Sequence, residues 1–214
     1  MKFKLVDLTH TIAPDMPVYP GDNQPVLSTV RNYRDDGYLE TEMLLSTHTG
    51  THMDSPRHFY TNLDSTDSKD LNSFFGTAVV IDCSDQKGEI SPDFILRHKD
   101  KLSHAEFVLF RTGFDQYWGT EQYFHNFPIL HFDSASHLVS LGIKGVGFDT
   151  CSADSIDSVN YPVHQLLLKN NMVIVENLCG LSNLPAGVFY FSCFPLKIAG
   201  GDGSPVRAVA YIPV

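Results

Sequence analysis

The sequence has few positively charged residues for its length. Its 214 residues include 15 Lys and Arg against 25 Asp and Glu, which gives a formal net charge of −10. Proteins that bind nucleic acid or anionic membranes need a clustered basic surface. The composition therefore argues against both of these partners and favours a small-molecule partner.

Cysteine is also scarce, and the cysteines are scattered along the chain. No two of them form a Cys-x-x-Cys pair, so neither a thiolate zinc site nor a redox motif is indicated. A chain of this length with 43% hydrophobic residues can bury an adequate core without disulfides. We therefore expect reduced thiols at Cys83, Cys151, Cys179 and Cys193.

Long apolar segments are absent as well. No run approaches the ~20 residues of a membrane span, and the segment from Met1 to Asp7 has no apolar core long enough for a signal peptide. We therefore predict a soluble, cytoplasmic protein. Its size fits one domain comprising residues 1–214.

Hydrophobic periodicity predicts a mixed α/β fold, because strands and helices are interleaved along the chain. The β-branched, apolar run 77–82 is typical of a buried strand, and Ser91 followed by Pro92 is typical of a helix start. The predicted strands are 3–8, 25–33, 41–48, 77–82, 106–111, 145–149, 172–178, 187–193 and 206–212. The predicted helices are a short one near 70–75, closed by Gly76, and longer ones at 91–102, 133–141 and 162–170.

One short segment contains three histidines and one aspartate: His48, His52, Asp54 and His58. Imidazole and carboxylate groups are the usual nitrogen and oxygen ligands of zinc and manganese. In a flat strand the Cα atoms of His48 and His52 would lie roughly 13 Å apart, so the segment must bend to bring both to one ion. Gly50 can adopt the positive φ that such a bend needs. We predict a strand that runs into a coiled metal-binding loop; the alternative is a polar surface loop.

The spacing of these residues resembles the signature of the metal-dependent cyclase-type hydrolases, the family of bacterial kynurenine formamidase and isatin hydrolase. The matching pattern is His48-x-Gly50-Thr51-His52-x-Asp54-x-Pro56-x-His58. Further matches are Asp7-Leu8-Thr9-His10, Pro17-Val18-Tyr19-Pro20-Gly21-Asp22, Arg111-Thr112-Gly113, Asp149-Thr150-Cys151-Ser152 and Asp202-Gly203-Ser204-Pro205.

The resemblance implies the fold of that family, a β/β/α arrangement with a barrel-like mixed sheet. It also implies a second half of the metal site, because His164 and Glu176 match the distal ligand pair of the family. His48, His52 and Asp54 would then hold one metal, and Asp54, His164 and Glu176 a second, with Asp54 bridging. Zn²⁺ suits these ligands best and Mn²⁺ next, in one or two positions. Without the family, the residues slightly favour an exposed edge strand with Glu176 pointing to water.

The resemblance implies a hydrolase that cleaves a formamide, amide or cyclic amide bond. His58, which remains once the ligands are assigned, would act as general acid/base, because its unperturbed pKa of ~6.5 suits proton transfer at neutral pH. The best-known activity of the family, hydrolysis of N-formyl-L-kynurenine to formate and L-kynurenine, would place the protein in tryptophan catabolism. The alternatives are isatin-type ring opening and a non-catalytic protein that binds a metal and a small ligand.

The sequence gives less information about the substrate and the oligomeric state. Tyr19 lies in a proline-rich loop and is a candidate substrate-binding residue, although it could simply pack under its own prolines. Tyr19, Asn23 and Arg57 differ from the residues expected of a kynurenine formamidase, which bears on the substrate. The aromatic segment 114–132 could be plain core, a pocket wall or a subunit contact. Because members of the family form dimers or tetramers, the resemblance implies a homo-oligomer.

Overall fold

The computed structural model describes residues 2–214. Within that range the chain forms thirteen β-strands and four α-helices, joined in places by short 3-10 turns. The strands are β1 (Phe3–Asp7), β2 (Val26–Arg31), β3 (Glu40–Leu44), β4 (His52–Asp54), β5 (Phe75–Asp82), β6 (Glu89–Ile90), β7 (Phe107–Arg111), β8 (Ile129–Leu130), β9 (Gly145–Phe148), β10 (Val173–Glu176), β11 (Phe189–Ser192), β12 (Gly203–Pro205) and β13 (Val209–Pro213). The helices are α1 (Pro92–Leu96), α2 (Lys99–Leu102), α3 (Phe132–Ser140) and α4 (Pro162–Lys169).

Nine of the strands form one mixed sheet in the order β1-β13-β11-β5-β7-β9-β10-β4-β12. Its centre, β5-β7-β9-β10, is parallel, and antiparallel strands extend it on both sides. The parallel strands are covered on both faces, which explains why they consist of continuous apolar runs such as the buried residues 107–110. The pairs β2-β3 and β6-β8 lie outside this sheet.

The sheet curls towards closure. Thr9, which follows β1 at one edge of the sheet, forms an antiparallel bridge with Leu178, which follows β10 near the other edge. The Cys179 N–H group donates to the Leu8 carbonyl at 3.1 Å. These contacts give the sheet the shape of a half-barrel, so the predicted α/β fold with a barrel-like mixed sheet is confirmed.

The core is divided between the two faces of the sheet, and β7 shows how. Its alternate residues Val108 and Phe110 pack with the buried side chains of α3 and α4 on the outer face. Phe107 and Leu109 point the other way, into the concave side of the curl. The segment predicted to bind metal lies at the β4 end of this curled sheet, where the curl brings the chain after β1 close to β10.

Several predicted boundaries are wrong. His52 and Asp54 belong to strand β4 and not to a coiled loop; the bend lies before them, in residues 45–51. Gly76 does not close a helix but lies in β5, where a Cβ atom would stand 2.5 Å from the Glu106 carboxylate. The helix predicted at 91–102 is divided into α1 and α2, because the polar stretch 97–101 offers no apolar side chain to hold a continuous helix against the sheet.

Other predictions hold in part. Ser91 caps α1, since its hydroxyl accepts from the Phe94 N–H group, and α3 ends before Gly142, which has φ of +73°. In residues 2–214 no helix is both long and apolar enough to cross a membrane. The organisation of residues 1–214 as one domain stays a prediction.

Candidate metal centre and catalytic pocket

Strand β4 lies between β10 and β12, and its register aligns three candidate ligands. His52 lies directly opposite Glu176, and Asp54 lies opposite Ile174. His52 and Asp54 are two residues apart on a strand, so their side chains leave the same face. His52 Nε2 is 3.3 Å from Asp54 Oδ1 and 3.6 Å from Glu176 Oε2.

The bend before β4 is formed at Gly50, which has the predicted positive φ, at +64°. The carbonyl of Gly50 accepts from His52 Nδ1 at 2.8 Å and from Asn177 Nδ2 at 2.9 Å. Because a carbonyl can only accept, His52 must carry a proton on Nδ1, which leaves the lone pair of Nε2 free when the ring is neutral. The bend therefore also selects the tautomer in which His52 can bind a metal through Nε2.

His48 lies on the loop that leads into the bend and is held by two carboxylates. Its Nδ1 atom is 2.8 Å from Asp54 Oδ1, and its Nε2 atom is 3.1 Å from Asp202 Oδ2. The Thr47 hydroxyl donates to the other oxygen of Asp202 at 2.9 Å. Gly203 leaves room for the imidazole, because a Cβ atom there would stand 2.6 Å from His48 Cε1.

His164 reaches the same place from the first turn of α4. Its Nε2 atom is 3.0 Å from Glu176 Oε1 and 3.6 Å from Asp54 Oδ2. The Ala153 N–H group donates to Glu176 Oε1 at 3.0 Å and orients that carboxylate. The helix-to-strand return from α4 to β10 thus brings together two residues that are twelve positions apart in the sequence.

The carboxylates of this cluster are almost completely buried: Asp54 is 1% and Glu176 5% exposed. The alternative in which Glu176 points to water from an edge strand is wrong, because β10 lies between β9 and β4. Within residues 2–214, the only ion-pair partners of the Asp54 and Glu176 carboxylates are histidines. Burying an ionised carboxylate without a cationic partner costs several kcal/mol. The cluster therefore needs positive charge.

The pKa values show the same demand for positive charge. Burial opposes ionisation of Asp54, but His48 nevertheless holds the pKa of Asp54 well below its usual range. Burial lowers the pKa of His48, but Asp54 and Asp202 more than offset this effect and raise it to about 10. Burial likewise opposes protonation of His164, yet Asp154 and Glu176 raise its pKa. A divalent cation fits this site, because it would replace the protons of the histidines with its own charge.

The ligand atoms converge in two overlapping groups, and Asp54 belongs to both. One group consists of His48, Asp54 and His58, and the other of His52, Asp54 and Glu176; within each group the atoms lie within 4.8 Å of one another. The shared Asp54 matches the predicted bridge. The other members are grouped differently from the prediction, which placed His52 with His48 and His164 with Glu176. The structure brings all of the predicted ligands together, while their individual roles stay predictions.

These side chains form the floor of a cavity of about 350 Å³. Its walls include the aromatic rings of Tyr19, Phe59 and Tyr161, and Asp22 also lines it. Burial and the neighbouring Tyr161 hydroxyl raise the pKa of Tyr19. Tyr19 thus lies on the pocket wall, and its contact with substrate stays a prediction.

His58 ends the 3-10 turn Pro56–His58 at the rim of this cavity. Its ring centroid is 4.1 Å from that of His48, and its Nδ1 atom is 3.6 Å from Asp202 Oδ2. Burial lowers the pKa of His58 below its ordinary value. A neutral, partly exposed imidazole beside a carboxylate can accept and return a proton, which is the chemistry predicted for it.

Three residues around the site were missed as functional candidates. Asp202 opens the motif Asp202-Gly203-Ser204-Pro205, and its place in that motif is the signal that could have marked it as a candidate. Tyr161 precedes the proline that opens α4 and has φ of +44°, a rare conformation for an aromatic residue. Asp154 contacts His164 from a separate loop, and nothing in the local sequence marks it.

The loop that carries Asp154 is held in place by the motifs Arg111-Thr112-Gly113 and Asp149-Thr150-Cys151-Ser152. The buried Asp149 carboxylate accepts from the Thr112 N–H group at 2.8 Å and from the Gly113 N–H group at 2.8 Å. Burial raises the pKa of Asp149 to about 6, although these hydrogen bonds favour its ionised form. The contact joins the ends of β7 and β9 and places the segment 149–154 beside the candidate metal ligands.

Comparison with known proteins connects this site to a family. The Cyclase family model, described as “Putative cyclase”, matches residues 6–155. That range contains the whole segment from His48 to His58 and ends before His164 and Glu176.

Full-length similarities extend beyond that range. Kynurenine formamidase of Salinibacter ruber is 37% identical over 211 residues, which are 96% of this chain and 96% of that protein. An isatin hydrolase solved with the product analogue thioisatinate has a TM-score of 0.92 and is 26% identical, with 100% of this chain and 94% of that chain covered. A structure described as a potential metal-dependent hydrolase with cyclase activity has a TM-score of 0.83 and is 27% identical, with 99% of each chain covered.

Proposed function

Because this chain belongs to the Cyclase family, we propose that it is a metal-dependent hydrolase that cleaves the C–N amide bond of an aryl formamide. The observation that carries the proposal is the convergence of His48, His52, Asp54, His164 and Glu176 on one cavity floor. N-formyl-L-kynurenine is the first substrate to test, since the formamidase of Salinibacter ruber resembles this chain along its whole length.

The cation would be held by imidazole and carboxylate groups. This ligand chemistry favours Zn²⁺ and then Mn²⁺. His48, His52 and Asp54 would hold one ion and Asp54, His164 and Glu176 a second. When bound, such a cation supplies a Lewis acid that polarises a carbonyl group and makes water more acidic.

The remaining residues of the pocket bind the substrate and move its protons. Tyr19, Phe59 and Tyr161 offer aromatic surface for the aryl ring of a formamide. The oxygen of water forms a bond to the formyl carbon, and the bond from that carbon to nitrogen breaks. His58 accepts one proton from the water and returns it to the leaving nitrogen, so that an arylamine and formic acid are formed, and the acid ionises to formate and a proton.

A cyclic amide is the second candidate substrate. The observation that favours it is the TM-score of 0.92 with an isatin hydrolase that holds a product analogue. Ring opening of isatin needs the same two events, attack of water on an amide carbonyl and protonation of the nitrogen. The two activities therefore differ in the shape of the substrate and not in the chemistry of the residues.

The test is a hydrolysis assay with N-formyl-L-kynurenine, isatin and simple aryl formamides. The protein is first stripped by a chelator and then reconstituted with Zn²⁺ or Mn²⁺, with bound metal measured by elemental analysis. We expect no turnover after stripping and recovery with one of these ions, with an aryl formamide as the best substrate. Stoichiometric metal without turnover of any substrate would indicate a non-catalytic binding protein instead.

We also infer a homodimer or homotetramer. The support for an oligomer is that the β2-β3 hairpin exposes apolar side chains that a second copy could cover: Val26, Val30, Met43 and Leu44. The aromatic segment 114–132 is a weaker candidate, because Tyr123 and Phe127 are buried in a cluster of its own. A monomeric mass in light scattering would contradict the inference.

A further inference from the structure

Asp154 is a buried carboxylate, 3% exposed, that belongs to no predicted metal site. Its Oδ2 atom is 2.7 Å from His164 Nδ1 and accepts from the His164 N–H group at 2.9 Å. Its Oδ1 atom accepts from the Val163 N–H group at 3.0 Å. Three hydrogen bonds thus hold this carboxylate against the first turn of α4.

The start of α4 needs an external partner for its N–H groups. The residue before the helix, Tyr161, is left-handed, and its side chain makes no capping hydrogen bond. Pro162 has no N–H group to pair, so the next donors are those of Val163 and His164. Asp154 accepts from both and thereby caps α4 from a separate loop.

The cap also determines the protonation of an imidazole. The backbone donors hold the carboxylate in place, and an ionised carboxylate can only accept hydrogen bonds. His164 Nδ1 must therefore carry the proton, and in the neutral ring the lone pair belongs to Nε2, which lies 3.0 Å from Glu176 Oε1. A carboxylate in this place behind a ligating histidine orients the ring and increases its basicity.

We propose that Asp154 is a positioning residue that holds His164 in the tautomer with a free Nε2 atom, and that it thereby sets the cation affinity of the position formed by Asp54, His164 and Glu176. The inference rests on the proposed function, because it assumes that this position takes a metal. His52, a candidate ligand of the other position, does not depend on Asp154, because its Nδ1 atom donates to the Gly50 carbonyl.

Asp154→Asn separates charge from shape. The amide has nearly the size of the carboxylate but replaces one acceptor oxygen with an NH₂ donor. That donor must face either the Val163 N–H group or the His164 N–H group and Nδ1 atom, so at least one hydrogen bond is lost in either orientation. When it faces Nδ1, it favours the tautomer that carries the proton on Nε2. Changes to such outer partners typically weaken metal binding by about 10–100-fold.

The experiment titrates metal-free protein with Zn²⁺, and separately with Mn²⁺, by calorimetry. It compares the wild type with Asp154→Asn and with Asp157→Asn, a control in the same loop whose carboxylate is exposed. We expect one binding step to weaken about 10–100-fold in Asp154→Asn and none to weaken in Asp157→Asn. Wild-type affinities in a folded Asp154→Asn protein would overturn the proposal.

A second measurement uses the wild type and so does not depend on how the variant folds. Nitrogen-15 NMR of the zinc-loaded protein reports which nitrogen of His164 carries the proton. A proton on Nδ1 supports the proposal, and a proton on Nε2 overturns it. If the proposed function fails, the loaded wild type does not hydrolyse amides even though Asp154→Asn binds zinc more weakly. If the inference alone fails, the wild type hydrolyses amides and both variants bind zinc equally.

Discussion

His52 of β4 and Glu176 of β10 face each other across antiparallel strands, with His52 Nε2 3.6 Å from Glu176 Oε2. They are distant in sequence, and only the strand register joins them. A slip of one residue would turn His52 and Asp54 to the opposite face of the sheet. The positions of these side chains therefore depend on the register of three short strands, β10, β4 and β12.

Gly203→Ala should weaken metal binding. A Cβ atom at this position would stand 2.6 Å from His48 Cε1 and 3.0 Å from the Met53 carbonyl, so the His48 ring must move. We expect zinc affinity to fall by about 10-fold or more, as measured by competition with a chromogenic chelator. Gly187→Ala is the matched control, because a Cβ atom there would meet nothing within 4 Å. Equal affinities in the two variants would show that His48 does not bind the metal.

His58→Ala should retain metal and lose turnover. The side chain lies at the rim of the cavity, while the buried candidate ligands His52, Asp54 and Glu176 remain in place. Loss of general acid/base catalysis should lower kcat by about 10²–10⁴, with metal content measured by elemental analysis on the same sample. His125→Ala, which removes an exposed histidine, should behave as the wild type. A wild-type kcat in His58→Ala would remove this residue from the mechanism.

Tyr123→Phe should destabilise the protein. The Tyr123 side chain is completely buried, and its hydroxyl donates to Asn177 Oδ1 at 2.8 Å. Removing the hydroxyl leaves that amide oxygen unpaired, which typically costs about 1–3 kcal/mol. We expect the free energy of unfolding in urea to fall by that amount, whereas Tyr38→Phe, at a 52% exposed residue, should be neutral. An unchanged midpoint in Tyr123→Phe would contradict the assignment.

His10 should make stability depend on pH. Its ring is stacked on Trp118 at a centroid distance of 3.9 Å, and burial lowers the pKa of His10 to about 4 from 6.5. Between these values the unfolded chain binds more protons than the folded chain, so the free energy of unfolding rises with pH. The stabilisation is complete above pH 6.5 and is lost as pH falls towards 4.

The test measures urea unfolding at several pH values from 4 to 7 in the wild type and in His10→Phe, which keeps an aromatic ring but cannot titrate. We expect a shallower pH dependence in His10→Phe and an unchanged one in His104→Phe, a change at an exposed histidine. Identical slopes in the wild type and His10→Phe would show that His10 keeps its ordinary pKa in the folded protein.

Local features of the chain were predictable from local chemistry. Gly50 has the positive φ that the spacing of His48 and His52 requires, and Ser91 caps the helix that it precedes. The apolar run 77–82 lies in a buried strand. The bend and the cap depend on interactions within a few residues, and the strand is marked by its own run of β-branched, apolar residues.

The short strands were not predictable in the same way. β4, β6, β8 and β12 have two or three residues each, too few to show a period of two. β4 also has polar residues at both ends, as in a surface loop. Its neighbours β10 and β12, and not its own sequence, make it a strand.

By itself, the sequence determined the chemistry of the candidate ligands, the bend at Gly50 and the family to which the chain belongs. Only the tertiary structure decided that Glu176 is buried, that Asp202 holds His48 and that Asp154 holds His164. The reason is physical: Asp202 and His48 lie 154 residues apart. Contacts of that range arise from sheet register and curl, which no local pattern of residues encodes.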